Sequence, residues 1–409
     1  MYLVGGPLRD VLLGRPVADI DLAVEGDSTR FGKALAHELG GVFKSYRQFG
    51  TGTVKLNCEL RSAKCEMNTR QSAVVVGHID VARTRTETYV SSGALPEVRR
   101  AGIEADLFRR DFTINAMAWR LSQPQAAGLK PQAGGLIDPF NGIADLRRGL
   151  IRVLHDRSFE DDPTRVFRAV RFACRFGFRI EPVTQALMKQ AIRDGRLKLL
   201  SGKRVMTELA LVLQERDSGK MLGVLNRTGV SASLFGARLS ADCLKSVARL
   251  PDPALRLLYL TSYLEARNWG LGVRDWPLTR EQQAALTSLK AYFRIRQRLL
   301  RAERPSRVFS LLASQARDAL RIEAALEPKA IAVKITAFLD CYSLVKPALT
   351  GQDFKRMGIS PGPVYSELLD ELLKARLDGK VKTKKDEETL VKATIPRMQN
   401  ANRRMQSAE

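Results

Sequence analysis

Histidine is nearly missing from this sequence: only His37, His78 and His155 stand among 409 residues. The five cysteines, Cys58, Cys65, Cys174, Cys243 and Cys341, are scattered, odd in number and never spaced as C-x-x-C. A zinc site built from thiolates and imidazoles is therefore not expected. Cys58 and Cys65 are near enough in sequence to pair, but reduced thiols of a cytosolic chain are the expectation. No apolar run is long enough to span a bilayer, and the N-terminus lacks the basic and apolar regions of a secretory signal. These absences predict an intracellular, cytoplasmic protein. Acid is also scarce relative to base, with 44 Asp and Glu against 67 Lys and Arg and a net charge of +23. Such basicity suits a polyanionic partner: nucleic acid first, an acidic membrane surface or generic solubility otherwise. The length allows about two to four domains with ample buried core.

What is present is concentrated in Met1 to Glu25. A short apolar strand, Tyr2-Leu3-Val4, reaches Gly5 and Gly6, and a segment with helical spacing (Leu8, Val11, Leu12) carries Arg9 and Asp10. The chain returns as a strand from Asp19 to Val24. Alternation along a strand puts Asp19 and Asp21 on one face and sends Ile20 and Leu22 to the core. Two carboxylates beside glycine backbone suit magnesium and a polyphosphate, because hard cations take oxygen ligands and glycine amides approach phosphate closely. A solvated strand face with turn glycines also fits this stretch taken alone.

Farther on, Ser28 to Leu39 has helical spacing and stops at Gly40-Gly41. Strands are predicted within Gly41 to Leu60 and Ser72 to Thr84, with a polar hairpin tip or loop over Arg61 to Arg70. Asp80 ends one of these strands and could add a third carboxylate, or could bond a turn. Thr86 to Ile103 reads as a loop beside the site, Asp106 to Leu121 as helix, and Gln123 to Gly135 as a connector. From Ile143 onward helix signals dominate.

Two further constellations stand out. Asp106 to Ala118 mixes charge with apolar anchors: Phe112, Ile114 and Met117 can bury while Arg109, Arg110, Asp111 and Asn115 stay near polar partners. Guanidinium suits phosphate oxygens, and Asp and Asn suit ribose hydroxyls, although a surface helix start with ion pairs would look similar. In Phe159 to Phe172, Asp162 before Pro163 is a good helix cap. Arg165, Arg168 and Arg171 then share one helical face, with Arg175 four residues on. Such a row repels itself unless an anion or carboxylate covers it. An Asp and an Arg one turn apart can also read a base edge, while a basic helix on RNA backbone is the plainer reading.

Together these stretches resemble the class II tRNA nucleotidyltransferases and the related bacterial poly(A) polymerases of the DNA polymerase β superfamily. The resemblance rests on VGGPLRD with Asp19-x-Asp21, RRDFTINAMA (Arg109 to Ala118), DPFNGIADL (Asp138 to Leu146) and DDPTRVFRAVRF (Asp161 to Phe172). Leu349-Thr350-Gly351 and Met357 to Pro363 look like the tail of the same group. It implies an α+β protein: a small polymerase-β-like head with a mixed sheet and helices over 1–137, then an all-α neck with a base-reading helix (138–200), body (201–310) and tRNA-binding tail (311–409).

The implied activity is addition of nucleotides to a tRNA 3′ end without a nucleic-acid template, from ATP and CTP, with a two-metal Mg²⁺ site. Carried onto matching positions, Asp19 and Asp21 would hold Mg²⁺ and Asp80 would join them in catalysis. Gly5, Gly6 and Arg9 would meet the triphosphate. Arg109, Arg110, Asp111 and Asn115 would handle ribose and phosphate. Asp162 and Arg165 would read the base, with Arg168 and Arg171 behind them. The sequence departs from the family in beginning almost on the first strand, in having Asp161 where Glu is commoner, and in a longer polar connection over Asn57 to Ser72. The GALPEV stretch (Gly93 to Val98), SFEDDPTR and the PGP segment look most like A-adding or full CCA-adding members. A poly(A) polymerase acting on general RNA, or a non-catalytic RNA-binding protein, are the alternatives, and both retained carboxylates argue against the second.

Overall fold

The structure, a computed structural model, describes residues 1–406 except 18, 47–49, 62–74, 89–96, 122–134 and 268–275; side chains are described outside 57–61, 75–76 and 397–406. The polar stretch Asn57 to Ser72, both Cys58 and Cys65, and most of Gly93 to Val98 thus lie outside the described side chains. The chain gathers into two compact units, residues 1–240 with 270–276, and residues 241–269 with 277–409.

The first unit opens with β1 (Tyr2–Val4), α1 (Gly5–Leu12), β2 (Ile20–Val24) and α2 (Ser28–Glu38). Next come β3 (Val42–Tyr46), β4 (Thr51–Arg61) and β5 (Val75–Arg83). Then follow β6 (Arg85–Thr88), β7 (Glu97–Arg100), α3 (Ile103–Phe108), β8 (Ala118–Arg120) and β9 (Leu136–Ile137). Seven strands form one mixed sheet in the order β3-β4-β5-β2-β1-β8-β9, with β2 and β5 parallel and β1 antiparallel to both β2 and β8. Period-two alternation divides its side chains between two cores. Tyr2, Val4 and Ala23 pack with Ile103, Leu107 and Ala118. Leu22, Val24, Ile79 and Val81 pack with Val54 and, from α2, Ala36. Val54 and Val81 are fully buried, each contributing roughly 1.5–3 kcal/mol of apolar burial. Asp19 and Asp21 share the alternation of Ala23, so the carboxylates stand at the end of the face carrying the first of these cores.

Two local expectations are corrected here. Asp106 to Leu121 is not one helix. α3 stops at Phe108, a 3-10 turn spans Thr113–Asn115, and Ala118–Arg120 pairs with β1. Phe112 instead forms an antiparallel backbone bridge to Val153, with Thr113 N–H donating to the Arg152 carbonyl at 2.9 Å, which spends on a distant segment the hydrogen bonds a continuous helix would need. Thr86 to Ile103 is not wholly loop, since β6 and β7 pair antiparallel at its two ends. Val98 is the one apolar residue in the two strands, so no apolar alternation announces them.

The region after the sheet is mainly helical: α4 (Gly142–Arg148), α5 (Ser158–Asp161), α6 (Arg165–Phe176), α7 (Pro182–Arg193) and α8 (Gly202–Gln214). It is not all helix, because β10 (Leu150–Ile151) pairs in parallel with β11 (Arg179–Ile180). Gly149 and Gly177, both at positive φ, cap α4 and α6 and turn the chain into these strands.

Among its described residues the second unit contains helices and a 3-10 turn and no strand. One of its long helices, Arg280–Leu300, starts at a reciprocal Thr279–Gln282 capping box. Leu299, Leu312 and Ile335 centre one of its cores. The Leu349-Thr350-Gly351 segment is anchored by Glu387, which is fully buried and accepts from the Ala348 and Leu349 N–H groups and from Arg376 Nε. No described helix is long and apolar enough to cross a membrane.

Candidate nucleotide site

The β1–α1 junction is made by Gly5 at φ +71°, a conformation that a side chain would strain. A Cβ there would also stand 2.7 Å from Arg110 Nη1. Glycine thus lets a guanidinium lie directly on the turn. Beside it, Asp21 on β2 and Asp80 on the parallel strand β5 are register partners. Asp80 accepts from Thr53 Oγ1 at 2.6 Å. His78 Nε2 lies 3.4 Å from Asp19 Oδ1 and 4.0 Å from Asp80 Oδ2. Burial and then the Asp80 charge push the Asp21 carboxyl up to about 6, against the opposing pull of Arg110.

The residues of the second constellation form a clasp. Asp111 accepts from Asn115 Nδ2 (2.9 Å) and its neighbour's Phe112 N–H (2.8 Å) through one oxygen, and from Arg168 Nε (2.7 Å) and Nη2 (2.6 Å) through the other. Burial alone would raise this carboxyl; the Arg168 charge and the Asn115 hydrogen bond overcome that and hold it at about 2. Asn115 Oδ1 in turn accepts from Arg9 Nη1 at 2.6 Å. Arg9 is 4% exposed and packs against the Phe172 and Phe176 rings, 5.3 and 4.6 Å from their centroids. Arg9, Asp111, Asn115 and Arg168 therefore meet as one network. Carboxylates answer the self-repulsion of the arginine row unevenly: Asp111 covers Arg168 and raises it, whereas burial and the Arg168 charge leave Arg171 lowered against the smaller opposing pull of Glu208 on α8.

Asp162 and Arg165 are held apart from each other's hydrogen bonds. Asp162 Oδ1 accepts from Thr164 N–H, Thr164 Oγ1 and Arg204 Nη2 at 3.0, 2.6 and 2.7 Å. This departs from the N-cap role expected of Asp162: its carboxylate closes a turn onto Thr164, while the regular helix begins at Arg165 with Thr164 at its N-cap and no side-chain cap bond. Arg165 is 4% exposed, donating to Ser158 Oγ (2.6 Å) and the Arg109 carbonyl (2.8 Å). It ties α6 to the RRD stretch.

Two contributors escaped the sequence reading. Asp106, 1% exposed, accepts from Arg109 Nε at 2.9 Å, from Arg110 Nη2 at 3.1 Å and from the Arg85 N–H at 3.2 Å. It fixes both guanidinium forks. Its spacing of three and four residues from the two arginines is a signal that helical periodicity offered. Arg204 carries no such signal, because it reaches Asp162 from a different helix. The DPFNGIADL stretch backs the clasp from behind: Thr113 Oγ1 donates to Asp145 Oδ2 at 2.8 Å, and Gly142 leaves no room for a Cβ beside the Thr113 carbonyl.

Two chemistries can be tested against this geometry. Arg110 Nε and Arg171 Nε are buried donors with no hydrogen-bond partner, as an anion site leaves before its ligand arrives. Among the described residues no group of three or more His, Cys, Asp or Glu side chains is arranged to hold a metal ion. The Asp19 and Asp21 donors are nevertheless all carboxylate oxygens, which a hard divalent cation takes, and a cation would relieve the penalty on Asp21. The donor set fits.

The chain is similar to known proteins. Residues 1–152 match the family model described as Poly A polymerase head domain. The chain is 32% identical over 397 residues to the A-adding tRNA nucleotidyltransferase of Halalkalibacterium halodurans, covering 94% of this chain and 86% of the relative. It is 34% identical over 423 residues to the A-adding tRNA nucleotidyltransferase of Geobacter sulfurreducens, where it spans 95% of itself but 44% of the relative's length. Among solved structures, an apo form of a CCA-adding enzyme superposes with a TM-score of 0.72 at 28% identity, over 96% of this chain and 91% of that one. The Thermotoga maritima CCA-adding enzyme complexed with tRNA gives 0.67 at 28% identity, with coverage of 96% and 91%. With its catalytic-type turn, its clasp and nearly its whole length aligned to such relatives, the chain belongs to the class II CCA-adding and A-adding tRNA nucleotidyltransferase family.

Proposed function

We propose that this chain adds adenosine to the 3′ end of tRNA without a nucleic-acid template, using ATP, and that any use of CTP is secondary. The observation that carries the reading is the meeting of the in-register pair Asp21 and Asp80 with Arg110 across Gly5, next to guanidinium donors left unpaired. The A-adding relatives support the choice of nucleotide.

On this reading Asp19 and Asp21 hold Mg²⁺, which when bound neutralises phosphate charge and lowers the pKa of the attacking hydroxyl. Gly5, Gly6, Arg9 and Arg110 receive the triphosphate; Arg109 is already spent on Asp106 and Glu87 and acts by holding the local backbone. Asp80, held by Thr53, orients the Asp21 edge. Asp111 and Asn115 accept and donate at the ribose, and Arg168 and Arg171 lie behind the nucleotide. Asp162 accepts from an exocyclic amino group, and Arg165 exchanges its bond to the Arg109 carbonyl for one to a ring acceptor. The division into head 1–137, neck 138–200, body 201–310 and tail 311–409 is part of the proposal, with the basic helices of body and tail taking the tRNA backbone.

The test offers tRNA transcripts ending in the discriminator base, in C or in CC, with Mg²⁺ and with ATP, CTP or both. Incorporation of A on the CC end alone is the expected result. Complete CCA on the discriminator end replaces A addition with self-sufficient CCA synthesis. A long A tract on any RNA moves the chain to the poly(A) polymerase branch.

A further inference from the structure

A cavity of about 400 Å³ lies against β6, α3 and the segment leading into α5. Its wall includes Glu87, Phe108, Arg109, His155, Arg157 and Asp161. It meets the nucleotide-binding set only at Arg109 and Arg165, and none of Asp19, Asp21, Asp111 and Asp162 lines it. It is therefore a neighbour of the nucleotide site, reached by stepping one residue along the chain in two places: from Arg110 to Arg109, and from Asp162 to Asp161.

Its chemistry is that of a nucleobase platform. Phe108 is 51% exposed, which leaves part of its ring open on the cavity side. Its ring stacks on His155 with centroids 5.2 Å apart and planes at 26°, and Phe140 supports it at 5.9 Å. Burial, and then the Arg165 charge, shift His155 below the ordinary histidine value against the opposing pull of Asp161, which favours the neutral ring. Arg157, largely exposed, offers a phosphate-seeking cation. The Asp161 carboxylate, 3.9 Å from His155 Nε2, is an acceptor for an exocyclic amino group. The two adjacent acids thus serve different places, Asp162 bonded to Arg204 and Asp161 turned to the cavity.

Nucleotide addition brings two bases to one centre, that of the incoming triphosphate and that of the RNA end it extends. The clasp around Asp111 and Arg168 accounts for one. We infer that the Phe108 cavity takes the other, the 3′-terminal nucleobase of the acceptor RNA, stacked on Phe108. The inference rests on the nucleotidyltransferase reading above.

The test uses the full chain and an RNA minihelix carrying 2-aminopurine as its last base, titrated without triphosphate so that no turnover is needed. Stacking quenches the fluorescence. The unaltered chain and Phe108→Tyr are expected to quench. Phe108→Ala is expected to lose most of the quench and to raise the KM for the RNA about tenfold, the scale of one lost base–aromatic stack, with the KM for ATP unchanged. An undiminished quench in Phe108→Ala, or a rise in the ATP KM equal to that for RNA, overturns the assignment. The two readings fail separately. A chain that adds A to tRNA but shows no quench loses the cavity and keeps its activity; one that quenches but adds nothing loses the activity.

Discussion

Arg204 donates to Asp162 at 2.7 Å from a helix 42 residues farther along the chain. The bond falls on Oδ1, the same oxygen that closes the turn onto Thr164, so a single carboxylate is fixed by both its own segment and α8. A base reader needs that rigidity, because discrimination between bases depends on where acceptor and donor stand. Arg204→Met should therefore lower the ATP-over-CTP ratio of kcat/KM by about tenfold, the scale of one charge-assisted hydrogen bond, while changing triphosphate affinity little. Arg204→Lys should restore part of the ratio. Steady-state kinetics with each nucleotide decides it, and an unchanged ratio would falsify the positioning role.

Gly5 sits at positive φ with Arg110 against its Cα. Gly5→Ala asks a side chain to adopt that backbone and to displace the guanidinium. The expected cost is about 1 kcal/mol in thermal stability and a larger loss in activity, since Arg110 is moved from the turn. An alanine variant with unchanged KM for ATP would mean that the Arg110–Gly5 contact has no part in triphosphate binding.

How far these features were readable from sequence follows from how local they are. The Gly5 turn and the D-x-D strand are local, and period-two alternation placed Asp19 and Asp21 on one face without any structure. Asp80 needed only a parallel neighbour. Asp106 to Leu121 was expected to be one helix; its break after Phe108 depended on Val153 and on strand β1, partners that lie at a distance in sequence. Strands β6 and β7 hid for another reason, since Arg85, Glu87, Arg99 and Arg100 give a ribbon without an apolar face. Arg165 was expected at a base edge, and its spacing could not disclose that Ser158 and the Arg109 carbonyl already occupy its donors.

Asp21 pairs in register with Asp80, and burial with that second charge pushes its carboxyl up to about 6. At pH 7.5 the unliganded chain therefore carries an unfavourable charge there. The sign is fixed: the folded state holds its proton to higher pH than the unfolded chain, so stability falls as pH rises from about 4 toward 6 and stays lower above. Asp21→Asn should melt higher than the unaltered protein without metal, by up to about 1 kcal/mol at pH 7.5, and should lose nucleotide incorporation. Added Mg²⁺ should raise the melting temperature of the unaltered chain and leave that of Asp21→Asn in place. Calorimetry with and without the cation measures both, and an equal response of the two proteins would remove Asp21 from the metal site.

Asp111 titrates in the opposite sense. Arg168 and Asn115 outweigh its burial and hold the folded carboxyl at about 2, below its unfolded value. The stabilisation from the clasp is then fully present above about pH 4 and is lost as pH falls through the folded value near 2. Asp111→Asn keeps the shape and removes the charge, leaving the half-buried Arg168 without its carboxylate. With Arg168 half-exposed, losing the charge costs about 1.5–3 kcal/mol at neutral pH, the scale of hydrogen bonds to a charged group, and the deficit relative to the unaltered chain should be flat from pH 5 to 8 and shrink below pH 4. Denaturant midpoints across that range give the profile. A deficit that is constant down to pH 2.5 would show that the Asp111 side chain holds α6 by shape and hydrogen bonding alone, without the charge that also lets it orient a ribose.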